Sequence, residues 1–153
     1  MTPDIIRKND ADHGAAWLDF DTDGDLDLAL TGAMHHLLRN DLPGDRGSGS
    51  LQVIVLDAKG RYTRAGSEIR IYDRGTKKLL GTGLLDTGSG YDSQNAMPAR
   101  FGLPQATPVD VEITTMTQKG RRSIRLSDIS PKDYLGRYLA VKVDQNGMIV
   151  KQT

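Results

Sequence analysis

Leu51-Gln52-Val53-Ile54-Val55-Leu56 reads as a β-strand, because its side chains come close to alternating between apolar and polar. Successive residues of a strand point to opposite faces, so such a pattern puts one face in a core and the other in water. Ile69-Arg70-Ile71-Tyr72 and Val109-Asp110-Val111-Glu112-Ile113 repeat it. Helical periodicity is nearly absent, and short β-rich runs recur between Gly, Asp and Asn clusters, which is the pattern of an all-β protein. Working outward, the expected strands are 15–20, 27–31, 35–39, 51–57, 68–72, 79–86, 109–115, 123–126, 138–143 and 148–151. Ten short strands of this kind suit an antiparallel β-sandwich.

Punctuation between the strands is consistent with that expectation. Asn146-Gly147 lies between two β-rich runs and signals a two-residue hairpin, whose turn needs positive φ at both positions. The Gly-, Ser- and Pro-rich stretch from Leu42 to Ser50 is the best linker candidate. It divides the chain into an N-terminal element over 1–42, a linker over 43–50 and a second module over 51–153. Ser130-Pro131-Lys132-Asp133 permits a single helical turn at most.

The chain has 153 residues, 37% of them hydrophobic and 26% charged, enough for one ordinary core or two small ones. Twenty basic residues balance twenty acidic ones, so there is no net field of the kind that draws a protein to nucleic acid or to anionic lipid. No apolar run approaches the roughly 18 residues of a membrane span. Met1-Thr2-Pro3-Asp4 lacks the regions of a signal peptide. The absence of cysteine excludes disulfides, zinc-thiolate sites and thiol catalysis.

Asp19-Phe20-Asp21-Thr22-Asp23-Gly24-Asp25-Leu26-Asp27 concentrates five carboxylates that repel one another unless a cation lies between them. Oxygens at positions one, three and five, a glycine at six and a carboxylate at nine reproduce the first part of a calcium loop. The expected ligands are the side chains of Asp19, Asp21, Asp23 and Asp27 with the main-chain carbonyl of Asp25, whose own side chain is expected to face outward. An EF-hand needs a bidentate Glu at position twelve, where this chain has Leu30, and the flanks are strand-like. Calcium suits this all-protein carboxylate cage better than magnesium, which keeps its waters. The ion is thus expected to be structural.

Gly14-Ala15-Ala16-Trp17-Leu18-Asp19-Phe20-Asp21, with Gly24-Asp25-Leu26-Asp27-Leu28 and Leu38-Arg39-Asn40-Asp41, resembles one blade of the FG-GAP, or VCBS-type, repeats. Beyond the linker, Ala65-Gly66-Ser67-Glu68-Ile69-Arg70-Ile71, Gly88-Ser89-Gly90-Tyr91-Asp92-Ser93-Gln94-Asn95 and Phe101-Gly102-Leu103 resemble the ASPIC/UnbV domain, which follows such repeats in cartilage acidic protein and its bacterial relatives. The resemblance implies a propeller-blade-like calcium-loop element followed by a sandwich. It also implies an extracellular, cell-surface or periplasmic protein. The family's tryptophan-containing segment near the module's end has no counterpart, since Trp17 is the only tryptophan. A single repeat cannot bury both of its faces. It is therefore expected to pack against the second module, against missing upstream repeats as the C-terminal piece of something longer, or against a further copy of the chain.

The functional expectation is a non-catalytic calcium-binding module serving adhesion, assembly or ligand recognition, with a protein or carbohydrate partner. Two alternatives stand beside it. Leu84-Leu85-Asp86-Thr87-Gly88-Ser89 resembles the active-site turn of retroviral-type aspartic proteases, in which Asp86 would pair with its mate in a homodimer. Its plainer reading is a strand ending in a Gly-rich turn. Tyr91, Gln94 and Asn95 suit a carbohydrate-binding patch, although amides in such a turn more often bind neighbouring backbone. His35 and His36 are adjacent and point to opposite faces of a strand, so they cannot chelate one ion, and His13 stands alone. Gly81-Thr82-Gly83 lacks the lysine and helix of a phosphate loop, and its glycines are read as permitting a bulge or a close strand approach.

Overall fold

A computed structural model describes residues 12–32, 35–41, 49–88, 93–95, 97–103 and 105–153. The described residues form the strands β1 (Asp12–Leu18), β2 (Asp27–Gly32), β3 (His36–Leu38), β4 (Ser50–Asp57), β5 (Glu68–Asp73), β6 (Leu79–Leu84), β7 (Ala99–Gly102), β8 (Val109–Thr117), β9 (Gly120–Ile129), β10 (Leu139–Val143) and β11 (Ile149–Gln152). The fold is all-β. A 3₁₀ turn spans Pro131–Tyr134.

Two four-stranded sheets form a sandwich, one in the order β11-β10-β4-β7 and the other β6-β5-β8-β9. The alternation read from the sequence places the core. Leu51, Val53 and Val55 of β4 and Leu139, Val141 and Val143 of β10 meet Ile69 and Ile71 of β5 and Val109, Val111 and Ile113 of β8. All of these are at most 1% exposed. Burial of each such side chain contributes about 1.5–3 kcal/mol, so this layer holds the domain together.

Phe101 fills the space between β7 and β6. A Cβ on Gly81 would lie 3.1 Å from its ring, and one on Gly83 would lie 3.0 Å away. These two glycines therefore seat an aromatic ring of the opposite sheet, the close approach expected of them, and a bulge interrupts the pairing of β6 with β5 beside Gly81.

The remaining strands form a separate three-stranded antiparallel sheet, β1-β2-β3. Trp17 pairs with Leu28 and Leu18 with Asp27, so the acidic loop is the connection of this first hairpin.

Four details differ from the expected strand plan. β10 runs parallel to β4, with Leu139 opposite Val53 and Val143 opposite Asp57, so the sandwich is mixed rather than purely antiparallel. No hairpin joins these two strands; the whole second sheet intervenes, and a long crossover permits parallel pairing. β7 was not expected, because the four residues Ala99–Gly102 offer one alternation only. In the C-terminal hairpin Gly147 has φ +75° but Asn146 is not left-handed. Gly147 N–H donates to the Asp144 carbonyl and Asp144 N–H to Met148, which makes a three-residue loop with a bulge rather than a two-residue turn. The expected linker 43–50 lies outside the described residues except for Gly49 and Ser50, and these belong to the sandwich. Ser50 opens β4, and a Cβ on Gly49 would come within 2.6 Å of the Leu103 carbonyl oxygen.

Candidate metal centre

The loop between β1 and β2 turns through two left-handed residues, Thr22 (φ +63°) and Gly24 (φ +99°). Glycine adopts such a φ freely, but a β-branched threonine is strained there. Thr22 Oγ1 donates to the Asp21 carbonyl at 2.7 Å, and Asp25 N–H donates to Asp23 Oδ1 at 3.0 Å. These local bonds curl the chain so that alternate carboxylates converge.

Three carboxylates meet. One ligand oxygen from each of Asp19, Asp21 and Asp27 lies within 4.8 Å of the others. Two oxygens on one calcium ion, each at about 2.4 Å, are separated by no more than about 4.8 Å. The group can therefore hold a metal ion.

Each member is positioned differently. Asp27 is fully buried, and its carboxylate bridges the ends of the two outer strands, β1 and β3. Oδ2 accepts from Phe20 N–H at 3.0 Å, and Oδ1 accepts from Asn40 N–H at 2.9 Å. Asp19 has a side chain only 3% exposed. Its Oδ2 accepts from Arg100 Nη2 at 2.7 Å and from Gln52 Nε2 at 3.3 Å, whereas its Oδ1 is buried with no hydrogen-bond partner. Asp21 is more open, with Arg39 Nε 4.0 Å from its Oδ2. Partial burial pushes the Asp21 carboxyl above its ordinary value, and the charges of Asp23 and Asp27 push the same way.

Asp23 and Asp25 lie outside the converging three. Asp23 is exposed and takes the Asp25 N–H described above. Asp25, whose side chain was expected to face outward, is instead 6% exposed. Its main-chain carbonyl, expected as a ligand, accepts from Arg100 Nη1 at 3.0 Å, and the Gly24 carbonyl accepts from the same nitrogen at 3.1 Å. Arg100 belongs to β7 of the sandwich, and its side chain is only 12% exposed. Sequence reasoning missed this residue. The alternation of Ala99 and Phe101 inward with Arg100 outward was its one available signal.

Further contacts tie the small sheet to the sandwich. Asn95 Oδ1 accepts from Trp17 N–H at 3.0 Å, so this amide binds backbone, as such amides commonly do. A Cβ built on Gly136 would sit 3.4 Å from the Thr22 carbonyl oxygen. A cavity of about 300 Å³ beside the loop is lined by Trp17, Leu26, Gln52, Asn95, Pro98 and Arg100.

The other sequence candidates lie elsewhere. Asp86 is exposed beyond the end of β6, and its main-chain carbonyl accepts from Tyr62 Oη at 2.9 Å. Gln94 is exposed, while Tyr91 lies outside the described residues. None of the three histidines joins the carboxylate group. No helix among the described residues is long and apolar enough to cross a membrane.

The fold and site define a class: an all-β sandwich carrying a small antiparallel sheet whose first hairpin loop can hold a metal ion. Comparison with family models, with curated proteins and with solved structures returns no match to this chain.

Proposed function

We propose that this chain is a non-catalytic, calcium-stabilised module of an exported or cell-surface protein, serving adhesion or assembly. The observation that carries the metal reading is Asp19 Oδ1, a buried carboxylate oxygen without a hydrogen-bond partner in a group of three converging carboxylates. A buried charged oxygen left unsatisfied costs free energy, and an ion removes that cost. Calcium is favoured over magnesium by the carboxylate-only donor set. External calcium at millimolar concentration suits a loop of modest affinity, which is the support for export. The order of the elements, a strand-loop-strand unit with five aspartates followed by a sandwich bearing Asn95 and Phe101, is what supports reading the chain as an FG-GAP-type repeat joined to an ASPIC/UnbV-like module.

A thermal melt in calcium and in chelator tests the metal reading. For a dissociation constant of about 0.3 mM, 10 mM calcium stabilises the folded state by about 2 kcal/mol. In a domain of this size that raises the Tm by about 4–8 °C. Asp21→Asn removes one ligand without touching the backbone bonds of Asp27 or the Arg100 contact, so it should abolish the shift and leave the melt in chelator nearly unchanged. Identical melts of the native protein in calcium and in chelator would refute the reading.

A second reading, ligand recognition with a carbohydrate as the ligand class, is favoured by the cavity beside the half-exposed Trp17 ring, where Gln52 and Asn95 supply amides. Glycan-array signal lost in Trp17→Ala would support it; silence across a broad array would count against it.

A further inference from the structure

Arg100 stands in an unusual relation to the acidic loop. It comes from a different sheet, it is nearly buried, and it makes three hydrogen bonds to the loop, two to main-chain carbonyls and one to a carboxylate of the metal group. A guanidinium cannot lose its proton in a protein, so this is a permanent positive charge next to a cation site. Simple repulsion makes that arrangement unfavourable for any cation, and more so the higher the cation's charge.

The charge count gives the arrangement a purpose. Asp19, Asp21 and Asp27 carry three negative charges, and the Arg100 contact with Asp19 Oδ2 cancels one of them. The three converging carboxylates are thereby brought to a net charge of two, that of a divalent ion, while the neighbouring Asp23 still adds to the field at Asp21. Arg39 does not alter this balance in the same way, because it is exposed and shared between Asp21 and Asp41. The guanidinium also leaves Asp19 Oδ1 as the oxygen open to an ion, since Oδ2 is taken.

We propose that Arg100 is a charge-setting and positioning residue of the metal site, matching the acidic loop to a divalent rather than a trivalent cation while fixing Asp19 and the Gly24 and Asp25 carbonyls in place. This rests on the reading of the loop as a metal site. The two roles separate by substitution. Arg100→Gln removes the charge, whereas Arg100→Lys keeps the charge and loses the planar fork that holds two carbonyls and a carboxylate together.

Isothermal titration of the full chain with calcium and, separately, with lanthanum supplies a readout that loss of structure alone does not move: the ratio of the two affinities. The extra unit of charge on lanthanum, at about 6 Å from the guanidinium in a medium of effective dielectric about 40, corresponds to about a tenfold change in that ratio. Arg100→Gln should raise the lanthanum-to-calcium affinity ratio about tenfold over the native protein. Arg100→Lys should weaken both ions yet keep the ratio within about twofold. An unchanged ratio in Arg100→Gln overturns the proposal. Should that variant not fold, a ratio shifted about fivefold or more in Arg100→Lys overturns it equally. A native protein that binds neither ion refutes the metal reading itself, an outcome distinct from binding with unaltered selectivity.

Discussion

Asp27→Asn, measured in excess chelator, tests the backbone role of the acidic loop apart from the metal role proposed for it. The native carboxylate accepts one main-chain N–H at each oxygen, Phe20 at 3.0 Å and Asn40 at 2.9 Å, and so ties the exit of β1 to the exit of β3. Asparagine keeps one acceptor and turns an NH₂ donor toward the other N–H. A hydrogen bond to a charged group contributes about 1.5–3 kcal/mol, and a buried donor left unpaired costs about 1–3 kcal/mol more. The expected loss is about 3 kcal/mol, borne by a three-stranded sheet with little core of its own. Because Trp17 on β1 is the only tryptophan, its emission reports this sheet, while far-UV circular dichroism reports mainly the sandwich. Urea titration in excess chelator removes any contribution from the ion. The tryptophan transition of Asp27→Asn should then move to markedly lower urea while the sandwich transition moves less. A tryptophan midpoint within about 0.5 kcal/mol of the native value would refute the backbone role assigned to Asp27.

Two predictions concern the sandwich. Asp57 accepts main-chain N–H bonds from Arg61 and Lys59 and side-chain bonds from Arg61 and Thr63, and the Arg61 N–H bond contributes most to holding its carboxyl at about 2, below the ordinary 3.8. A depressed folded value means that the stabilisation is complete above about pH 4 and is lost as the pH falls through about 2; the Tm difference between the native protein and Asp57→Asn should shrink over that interval, and a constant difference would contradict the assignment. Gly83→Ala pushes a methyl to 3.0 Å from the Phe101 ring and 3.2 Å from Ala99 Cβ, whereas Gly102→Ala meets nothing within 4 Å. Urea denaturation should show a loss of about 1–3 kcal/mol for the first and little change for the second.

Strand positions were legible because the sandwich core enforces alternation. A residue placed out of register in β4, β5 or β8 would bury a polar side chain, so the sequence of each central strand carries its own signature. β7 escaped because a four-residue strand, Ala99–Gly102, is too short for a period to show. The parallel pairing of β10 with β4 escaped for another reason: direction is a property of the path between strands, and no local pattern encodes it. In the acidic loop, spacing alone found Asp19, Asp21 and Asp27, but it could not distinguish an aspartate that joins the converging group from one that closes a turn. Asp23 takes the Asp25 N–H, and the same chemistry recurs far from any metal group. Asp110 accepts from the Gly75 and Asp128 N–H groups, and Asp144 accepts from those of Asn146 and Met148. A short carboxylate suits both tasks, and only the third dimension separates them.

That ambiguity bears on why the loop needs a partner from outside its own sheet. Local hydrogen bonds at Thr22 and Asp23 can curl the chain, yet they leave the carboxylates repelling one another. Arg100 supplies donors to the Gly24 and Asp25 carbonyls and one compensating charge in a single side chain. It can do so because Ala99 and Phe101, its neighbours on β7, are anchored in the sandwich core and hold the strand rigid beneath it. Phe101 in turn sits on the glycines of β6. The geometry of the acidic loop thus depends on packing in the middle of the other module, and a change as remote as Gly83→Ala should be felt in the tryptophan signal of β1 as well as in the stability of the sandwich.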